Sequence, residues 1–253
     1  MSTRIAIEET YELPSRGKFP GVPEKITLRA MSLLDEKRRL ASQSVNGIVD
    51  LISSCTVHPE NFDAYKMTRF DVDFCMLKLR IVSHGPQYNV EVGCPHCGKL
   101  NKVVLNLDDI PTNYVEDDFE YIKEIGPLPI SGDIIKVKML TFADLDKLET
   151  ESKRIISKFP NYQGDPSDVL NYIYKIVSIN GEENIPYSKL KTYVETMTAA
   201  DSIYFDQMYN EFLGKYGPDT IIPFTCEHCK ESFVKMMPMN SEFFRPKYNI
   251  TER

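Results

Sequence analysis

The chain has 253 residues, 42% hydrophobic and 26% charged, with a formal net charge of −7, which is typical of a globular protein with one large or two medium cores. The negative charge argues against general binding to nucleic-acid phosphates or anionic lipid, and the sequence has neither a signal-peptide pattern nor an apolar run long enough to span a bilayer. We therefore expect a protein that is neither secreted nor membrane-spanning, whose six cysteines are reduced or bind metal rather than form disulfides.

The first part of the chain reads as an arm followed by a folded unit. Residues 1–25 carry several prolines and little helical periodicity, which predicts an extended N-terminal arm. Residues 26–107 form a first repeat. It opens with an alternating, strand-like segment that leads to Ser32 and Asp35, the spacing of a hydroxyl and an acid at a helix start.

The first repeat then continues with two helical stretches and a pair of strands. The segment SVNGIVDLISSC predicts one helix, and MTRFD (67–71) starts another that we expect to end near Gly85-Pro86, since glycine suits a helix C-terminus and proline cannot continue it. A strand, a tight turn with Cys94 and Cys97, and a second strand complete the unit.

The remainder of the chain repeats this pattern. Residues 108–127 are predicted as an acidic connector, residues 128–240 as a second repeat with its own cysteine turn, and residues 241–253 as a C-terminal tail. The matched segments are LPSRG (13–17) with LPISG (128–132), residues 26–38 with residues 135–147, MTRFD (67–71) with MTAAD (197–201), Gly85-Pro86 with Gly217-Pro218, and the two Cys-x-x-Cys turns.

This order of segments predicts an α+β fold made of two diverged tandem repeats. Each repeat comprises a strand, helices and a strand-turn-strand unit. The turn-rich insertions at residues 159–168 and 180–189 account for the difference in length between the two halves.

The two cysteine turns predict one shared metal site. Each turn lies between strands rather than at the start of a helix, so a thioredoxin-like redox site is disfavoured. Structural zinc takes four ligands, and each turn supplies two. We therefore predict that one structural Zn²⁺ per chain is bound, in a zinc-ribbon-like site, by Cys94, Cys97, Cys226 and Cys229.

Several alternatives to this site stay open. The cysteines could be a reduced, metal-free remnant of the same fold, they could form two separate or intermolecular sites, or they could exchange disulfides. If one ion is shared, its binding free energy of about 10–16 kcal/mol could decide whether the two halves stay docked.

Other reactive side chains have simpler interpretations. His96 and His228 lie inside the turns and are expected at the rim of the site rather than on the metal. Cys55 and Cys75 lie in apolar helical stretches and are expected to pack as small hydrophobic residues. Because the sequence contains no catalytic motif and no phosphate-binding loop, we predict no catalytic residues, no small-molecule substrate and no enzymatic activity.

Six motifs, taken together in this order, resemble the baseplate hub assembly proteins of T-even-like contractile-tailed phages: LPSRGKFPG, LKLRIVSHG, GCPHCGK, MTAADSIYFDQ, CEHC and SEFFRP. The resemblance implies a structural component or an assembly factor of the baseplate hub, without known catalysis. It also implies that the partners are other phage baseplate or hub proteins. The expected location is the host cytoplasm during assembly, or the tail baseplate of the virion.

The resemblance also gives a meaning to the two ends of the chain. Aromatic and arginine side chains are common anchors of protein interfaces, so both ends are candidate contact arms. The alternative is that the terminal phenylalanines fold back onto the protein's own core. The candidate partner-binding residues are Leu13, Pro14, Arg16, Gly17, Phe243, Phe244, Arg245 and Pro246.

A zinc-ribbon nucleic-acid-binding or adaptor protein is the second functional hypothesis. Ribbons that bind nucleic acid usually present a basic stripe. Here lysines and glutamates alternate around the turns, which disfavours a nucleic-acid partner; they are Lys99, Lys102, Lys230, Lys235, Glu91, Glu227 and Glu231.

Overall fold

The computed structural model describes residues 7–41, 46–161, 164–237 and 243–244 of the chain. Its α-helices are α1 (Leu33–Ala41), α2 (Asn46–Cys55), α3 (Arg69–His84), α4 (Phe142–Lys158), α5 (Pro166–Lys175), α6 (Tyr187–Thr196) and α7 (Ala199–Leu213). Its strands are β1 (Glu8–Glu12), β2 (Lys25–Arg29), β3 (Thr56–His58), β4 (Gln87–Gly93), β5 (Leu100–Asn106), β6 (Thr112–Asn113), β7 (Ile122–Ile125), β8 (Ile135–Lys138), β9 (Ile176–Ile179), β10 (Glu182–Glu183), β11 (Gly217–Pro218), β12 (Ile221–Thr225) and β13 (Ser232–Met236). The mixture of helices and sheets confirms the predicted α+β class.

Two antiparallel sheets lie in the two halves of the chain. One has the strand order β1-β2-β3 and the other β10-β9-β8-β7. The alternation predicted for β2 and β8 is confirmed, because Ile26 and Leu28 in β2, and Ile135 and Val137 in β8, are fully buried. The pairing of each of these strands with the next shifts register once, at corresponding positions of β2 and β8.

The predicted helix starts are also confirmed. Before α1, the Ser32 amide donates to the Asp35 carboxylate (2.8 Å), and the Asp35 amide donates back to the Ser32 hydroxyl (3.3 Å). Before α4, Thr141 and Asp144 form the same reciprocal capping box. Each acid also pairs with the base that ends the preceding strand, Arg29 at 2.8 Å and Lys138 at 2.7 Å.

The helix end expected at Gly217-Pro218, the counterpart of Gly85-Pro86, is wrong by three residues. Helix α3 ends at His84 with Gly85 as its C-cap, as predicted. Helix α7 ends earlier than predicted, at Leu213, where Gly214 takes a positive φ of 59° that glycine adopts without strain. Gly217-Pro218 instead forms β11, which pairs with β6.

A buried aspartate in each half holds the turn that precedes the sheet strand. In LPSRG, the Ser15 amide donates to the Asp71 carboxylate (3.0 Å). In LPISG, the amides of Ile130 (2.8 Å) and Ser131 (3.2 Å) donate to the Asp201 carboxylate. Both carboxylates are almost fully buried. The two amides satisfy both oxygens of Asp201, whereas at Asp71 the Ser15 amide satisfies Oδ1 and the buried Oδ2 has no hydrogen-bond partner among the described atoms.

One hydrophobic core spans both halves of the chain. It includes side chains from both sheets and from α2, α3 and α7: Leu13, Ile26, Val49, Phe74, Ile135, Phe205 and Tyr209. A second buried cluster lies beneath the cysteine hairpins: Leu77, Tyr88, Val90, Phe224, Phe243 and Phe244. Since the first core is shared, docking of the two halves does not rest on a metal ion alone.

The N-terminal segment is not a separate arm over its described residues. Strand β1 pairs with β2 along its whole length, and Leu13, Phe19 and Val22 are buried in the shared core. Burial of these apolar side chains stabilises the folded state, because it removes their surface from water. The connector predicted at 108–127 likewise contains β6 and β7.

The C-terminal aromatics are buried as well. Phe243 and Phe244 are 1% and 5% exposed, and the Phe243 ring packs edge-on against Tyr88, with centroids 5.2 Å apart. The expectation that these rings are exposed for a partner is therefore wrong, and the alternative of folding back onto the core describes them. Arg245 and Pro246 lie outside the described residues.

None of the helices in the described part of the chain is both long enough and apolar enough to cross a bilayer.

We predict that Phe243→Ala lowers the free energy of unfolding by about 3–5 kcal/mol, because it leaves a cavity in the cluster beneath the hairpins. The matched control is Phe159→Ala, since this ring is 54% exposed and its removal is expected to cost less than about 1 kcal/mol. Urea denaturation of the purified variants measures both. Equal losses would contradict the burial of Phe243.

A second prediction concerns pH. Burial raises the pKa of the Asp71 carboxyl to about 7, although hydrogen bonds from Ser15 lower it. The folded protein therefore binds this proton more tightly than the unfolded chain, so Asp71 makes the free energy of unfolding fall as pH rises from about 4 to about 7. Asp71→Asn, uncharged throughout, is expected to flatten that decline.

The measurement is the melting temperature as a function of pH. The exposed Asp118→Asn substitution is the control, and its profile should follow the wild type. A profile for Asp71→Asn that runs parallel to the wild type would show that this carboxyl does not titrate between the two pH values.

Candidate metal centre

Each pair of cysteines lies at the tip of a two-stranded hairpin. Strands β4 and β5 pair from Gln87↔Asn106 to Gly93↔Leu100, and strands β12 and β13 pair from Ile221↔Met236 to Thr225↔Ser232. Cys94 and Cys226 therefore follow directly after the first strand of each hairpin. The predicted strand-turn-strand units are confirmed.

The two turns have the same backbone hydrogen bonds. The Cys94 amide donates to the Lys99 carbonyl (3.0 Å), and the Gly98 amide donates to the Cys94 carbonyl (3.0 Å). In the other turn, the Cys226 amide donates to the Glu231 carbonyl (2.9 Å), and the Lys230 amide donates to the Cys226 carbonyl (3.0 Å). Gly98 and Lys230 both have positive φ, 71° and 67°, which tightens each turn so that its two side chains converge.

The four cysteine sulfurs lie together. All four Sγ atoms are within 4.8 Å of one another, with Cys94 to Cys229 at 3.7 Å and Cys97 to Cys226 at 3.6 Å. Sulfurs at the corners of a tetrahedron with zinc–sulfur bonds of about 2.3 Å lie about 3.8 Å apart. The cluster therefore has the size and the donor chemistry to hold a metal ion.

The electrostatics of the cluster favour a bound cation. The Cys229 amide, which donates to the Cys226 sulfur, lowers the pKa of Cys226 to about 6. The Glu231 amide lowers the pKa of Cys229, but burial and the neighbouring sulfurs raise it more, to about 12. Thiolates this close together repel one another, whereas a divalent cation stabilises several adjacent thiolates.

The side chains around the sulfurs connect the two turns. Asn101 in β5 is 2% exposed, and its Oδ1 accepts a hydrogen bond from the Glu227 amide (2.9 Å). The His228 ring nitrogen lies 3.3 Å from the Leu100 carbonyl, and the His96 amide is 3.4 Å from the Cys94 sulfur. Among the described residues, the histidine rings do not belong to the metal-binding cluster.

Sequence reasoning missed Asn101. Burial alternates along LNKVVLN in the structure, where Asn101 occupies an inward position in line with Val103 and Leu105, but the sequence itself does not alternate, since Lys102 follows Asn101 and three apolar residues come next. A polar side chain on the buried face of a strand calls for a specific hydrogen-bond partner. The partner itself, an amide more than a hundred residues away, is not readable from the sequence.

A scan of the chain's sequence against protein-family models finds a matching family. The family described as T4 bacteriophage base plate protein matches residues 6–245. The chain belongs to this family. No curated protein sequence matches the chain, and no solved structure does. The resemblance seen in the sequence motifs is thereby confirmed at the level of the T4-like baseplate family.

In this baseplate protein, the candidate partner-binding residues of the N-terminal segment are mostly engaged within the chain. Leu13 and Pro14 are buried, and the Arg16 guanidinium pairs with Glu12 (3.0 Å) and donates to the Val115 carbonyl (3.1 Å). Gly17 is exposed. Cys55 and Cys75 are buried away from the metal cluster, as expected of packing residues.

We predict that Cys226→Ser removes the bound metal from the baseplate protein, because a serine hydroxyl is a poor replacement for thiolate on zinc. Metal content should fall from one ion per chain to nearly none, with a lower melting temperature, about 2–4 °C for each kcal/mol lost.

The matched control is Cys55→Ser, which alters a buried thiol outside the cluster. Its melting temperature is expected to fall, because a hydroxyl replaces a buried thiol, but its metal content in elemental analysis should equal that of the wild type. Retention of one ion per chain by Cys226→Ser would exclude the four-sulfur site.

Proposed function

We propose that this baseplate protein is a non-enzymatic structural component or assembly factor of the baseplate hub, stabilised by one structural zinc ion. The observation that carries the proposal is the convergence of four cysteine sulfurs, from two distant hairpins, in a chain of the baseplate family. Within the described ranges, the four cysteines are the one group of side chains placed to hold a metal ion. The partners are then other phage baseplate or hub proteins.

Zinc is the metal that the donor set favours. Thiolate ligands select zinc, copper(I) or iron, and four sulfurs in a tetrahedron are typical of zinc or of iron–sulfur centres. Two Cys-x-x-Cys turns on hairpins are the ligand arrangement of zinc ribbons. Cys94, Cys97, Cys226 and Cys229 would hold the ion.

A four-sulfur site also agrees with a structural rather than a catalytic role. Catalytic zinc keeps one position for water or substrate, whereas a structural site is closed by four protein ligands. Here four sulfurs already converge at tetrahedral spacing. The ion would thus stabilise the contact between the two hairpins and would have no position left for chemistry.

We also propose that the chain is a diverged tandem duplication. Support comes from features that occur at matching positions of the two halves: the register shifts in β2 and β8, the capping boxes before α1 and α4, the base–acid pairs at those boxes, and the buried aspartates that hold LPSRG and LPISG. Since β1 and β7 belong to the sheets, we place the two units at residues 8–106 and 122–236.

The nucleic-acid-binding alternative gains no support from the site. Exposed lysines and glutamates alternate around the turns, and Lys102 pairs with Glu91 at 3.7 Å across the first hairpin. Phosphate binding requires a concentration of positive charge, and its affinity falls as salt rises. A salt-dependent shift of DNA or RNA by the purified protein would revive this alternative.

The role in assembly is tested in the phage that encodes the chain, where we place the protein in the host cytoplasm during assembly. Deletion of its coding sequence is expected to leave particles without complete baseplates in electron micrographs. The wild-type chain or Cys55→Ser, supplied in trans, should restore them, whereas Cys226→Ser should restore few or none. Normal baseplates in its absence would contradict the proposed role.

The same experiment separates a structural component from an assembly factor. Mass spectrometry of purified virions should detect the chain if it is retained in the tail baseplate. If it acts only during assembly, the chain is present in infected cells and missing from the finished particle.

A further inference from the structure

We propose that Asn101 is a positioning residue that sets the two cysteine turns at the spacing one metal ion requires, and that it does so before the metal binds. The inference rests on the proposed shared metal site and adds to it the group that forms the site in advance. Asn101 is not itself proposed as a ligand, since zinc in proteins is bound by cysteine, histidine and carboxylate side chains rather than by carboxamides.

The carboxamide of Asn101 is fixed by its own hairpin. Its Nδ2 donates to the Val92 carbonyl (3.2 Å) and to the Lys99 carbonyl (3.3 Å). Val92 is the cross-strand partner of Asn101, and Lys99 receives the Cys94 amide. Two carbonyl acceptors leave only one orientation of the carboxamide, with Oδ1 directed away from both.

That orientation reaches the other hairpin. Oδ1 accepts the backbone amide of Glu227 at 2.9 Å, and Glu227 directly follows Cys226 in the chain. The hydrogen bond that this amide donates to Asn101 of β5 therefore fixes the position of the Cys226 backbone relative to the Cys94 turn. Asn101 lies on β5, which follows the Cys94–Cys97 turn, and through Glu227 it holds Cys226, the first cysteine of the other turn.

Burial makes this contact specific for asparagine. Asn101 is 2% exposed, and an amide buried without hydrogen bonds costs a few kcal/mol, so the carboxamide keeps its three partners. Leucine would fill the space without any of the three bonds. Aspartate would lose both donors and add negative charge beside four thiolates.

The second hairpin has no reciprocal residue at this place. Register places Phe233 at the position that corresponds to Asn101, opposite Phe224, and these two rings are stacked with centroids 5.7 Å apart. The His228 ring contact with Leu100 is exposed. The Glu227 amide thus donates a part-buried hydrogen bond to Asn101, and no equivalent bond runs from the first turn to a side chain at the Phe233 position.

Pre-formation of the site has two measurable consequences. Removal of groups that orient metal ligands typically lowers metal affinity by 10–100-fold. In the metal-free protein without the Asn101 carboxamide, the turns would also separate, so that the nearest sulfur pairs between turns, Cys94 with Cys229 and Cys97 with Cys226, would be less often in contact.

The experiment compares wild type with Asn101→Ala, Asn101→Leu and the control Asn89→Ala, an exposed asparagine of β4. Competition with a chromophoric chelator should show a 10–100-fold weaker zinc affinity for both Asn101 variants and no change for the control. The cobalt-substituted proteins report by absorption whether four-sulfur tetrahedral coordination is kept.

A second measurement uses the metal-free proteins. Diamide oxidation followed by peptide mass spectrometry should give mainly disulfides between the turns in the wild type, and a shift to disulfides within each turn in the Asn101 variants. Melting curves without metal correct both measurements for the folded fraction, so a loss of general stability alone would move neither result.

The outcomes separate the two proposals. A wild-type protein that binds no metal contradicts the shared metal site, and the disulfide pattern then still decides on Asn101. Zinc affinity within twofold of wild type in Asn101→Leu, or an unchanged disulfide pattern in both Asn101 variants, would overturn the positioning role.

Discussion

Two sulfur ligands do not complete a tetrahedral metal site, so each cysteine turn of this baseplate protein depends on the other. For the turns to meet, the hairpins β4–β5 and β12–β13 must lie tip to tip. The segment that connects the hairpins must therefore bring the second cysteine turn back to the first. The distances of 3.6 and 3.7 Å between sulfurs of different turns are the direct expression of this constraint. The hydrophobic cluster beneath the hairpins supports it from below.

A metal ion held by the four sulfurs would nevertheless be only one of the links between the two halves. The shared core joins both sheets, and the Phe142 amide donates to the Met67 carbonyl at 2.9 Å where the halves touch. Loss of the ion is therefore expected to loosen the hairpin layer first and to leave the sheets docked. The binding free energy of an ion at this site would then stabilise local order in the hairpin layer.

Much of this architecture was readable from local sequence patterns. The strand alternation at Ile26 and Ile135, the capping boxes at Ser32 and Thr141, and the cysteine turns all depend on neighbours within a few residues, so their chemistry is visible in the sequence. Even the meeting of the turns followed from the number of ligands that zinc requires.

The features that were missed depend on distant contacts. Strand β1 has no buried residue, so its pairing with β2 leaves no hydrophobic pattern. The sequence fits Phe243 and Phe244 equally well as exposed interface residues and as core residues. Their burial in the hydrophobic cluster beneath the hairpins, which distinguishes the two, depends on residues far away in the sequence. Helix α7 ends at Gly214, whereas the sequence prediction chose Gly217, because a proline follows Gly217 and none follows Gly214. Asn101 needed its partner Glu227 to be understood.

X-ray absorption at the zinc edge of the purified protein tests the central claim most directly. A single shell of four sulfur atoms at about 2.3 Å, with one zinc per chain, is the predicted result. Nitrogen or oxygen in the first shell, or two ions per chain, would show that the four cysteines do not share one zinc ion.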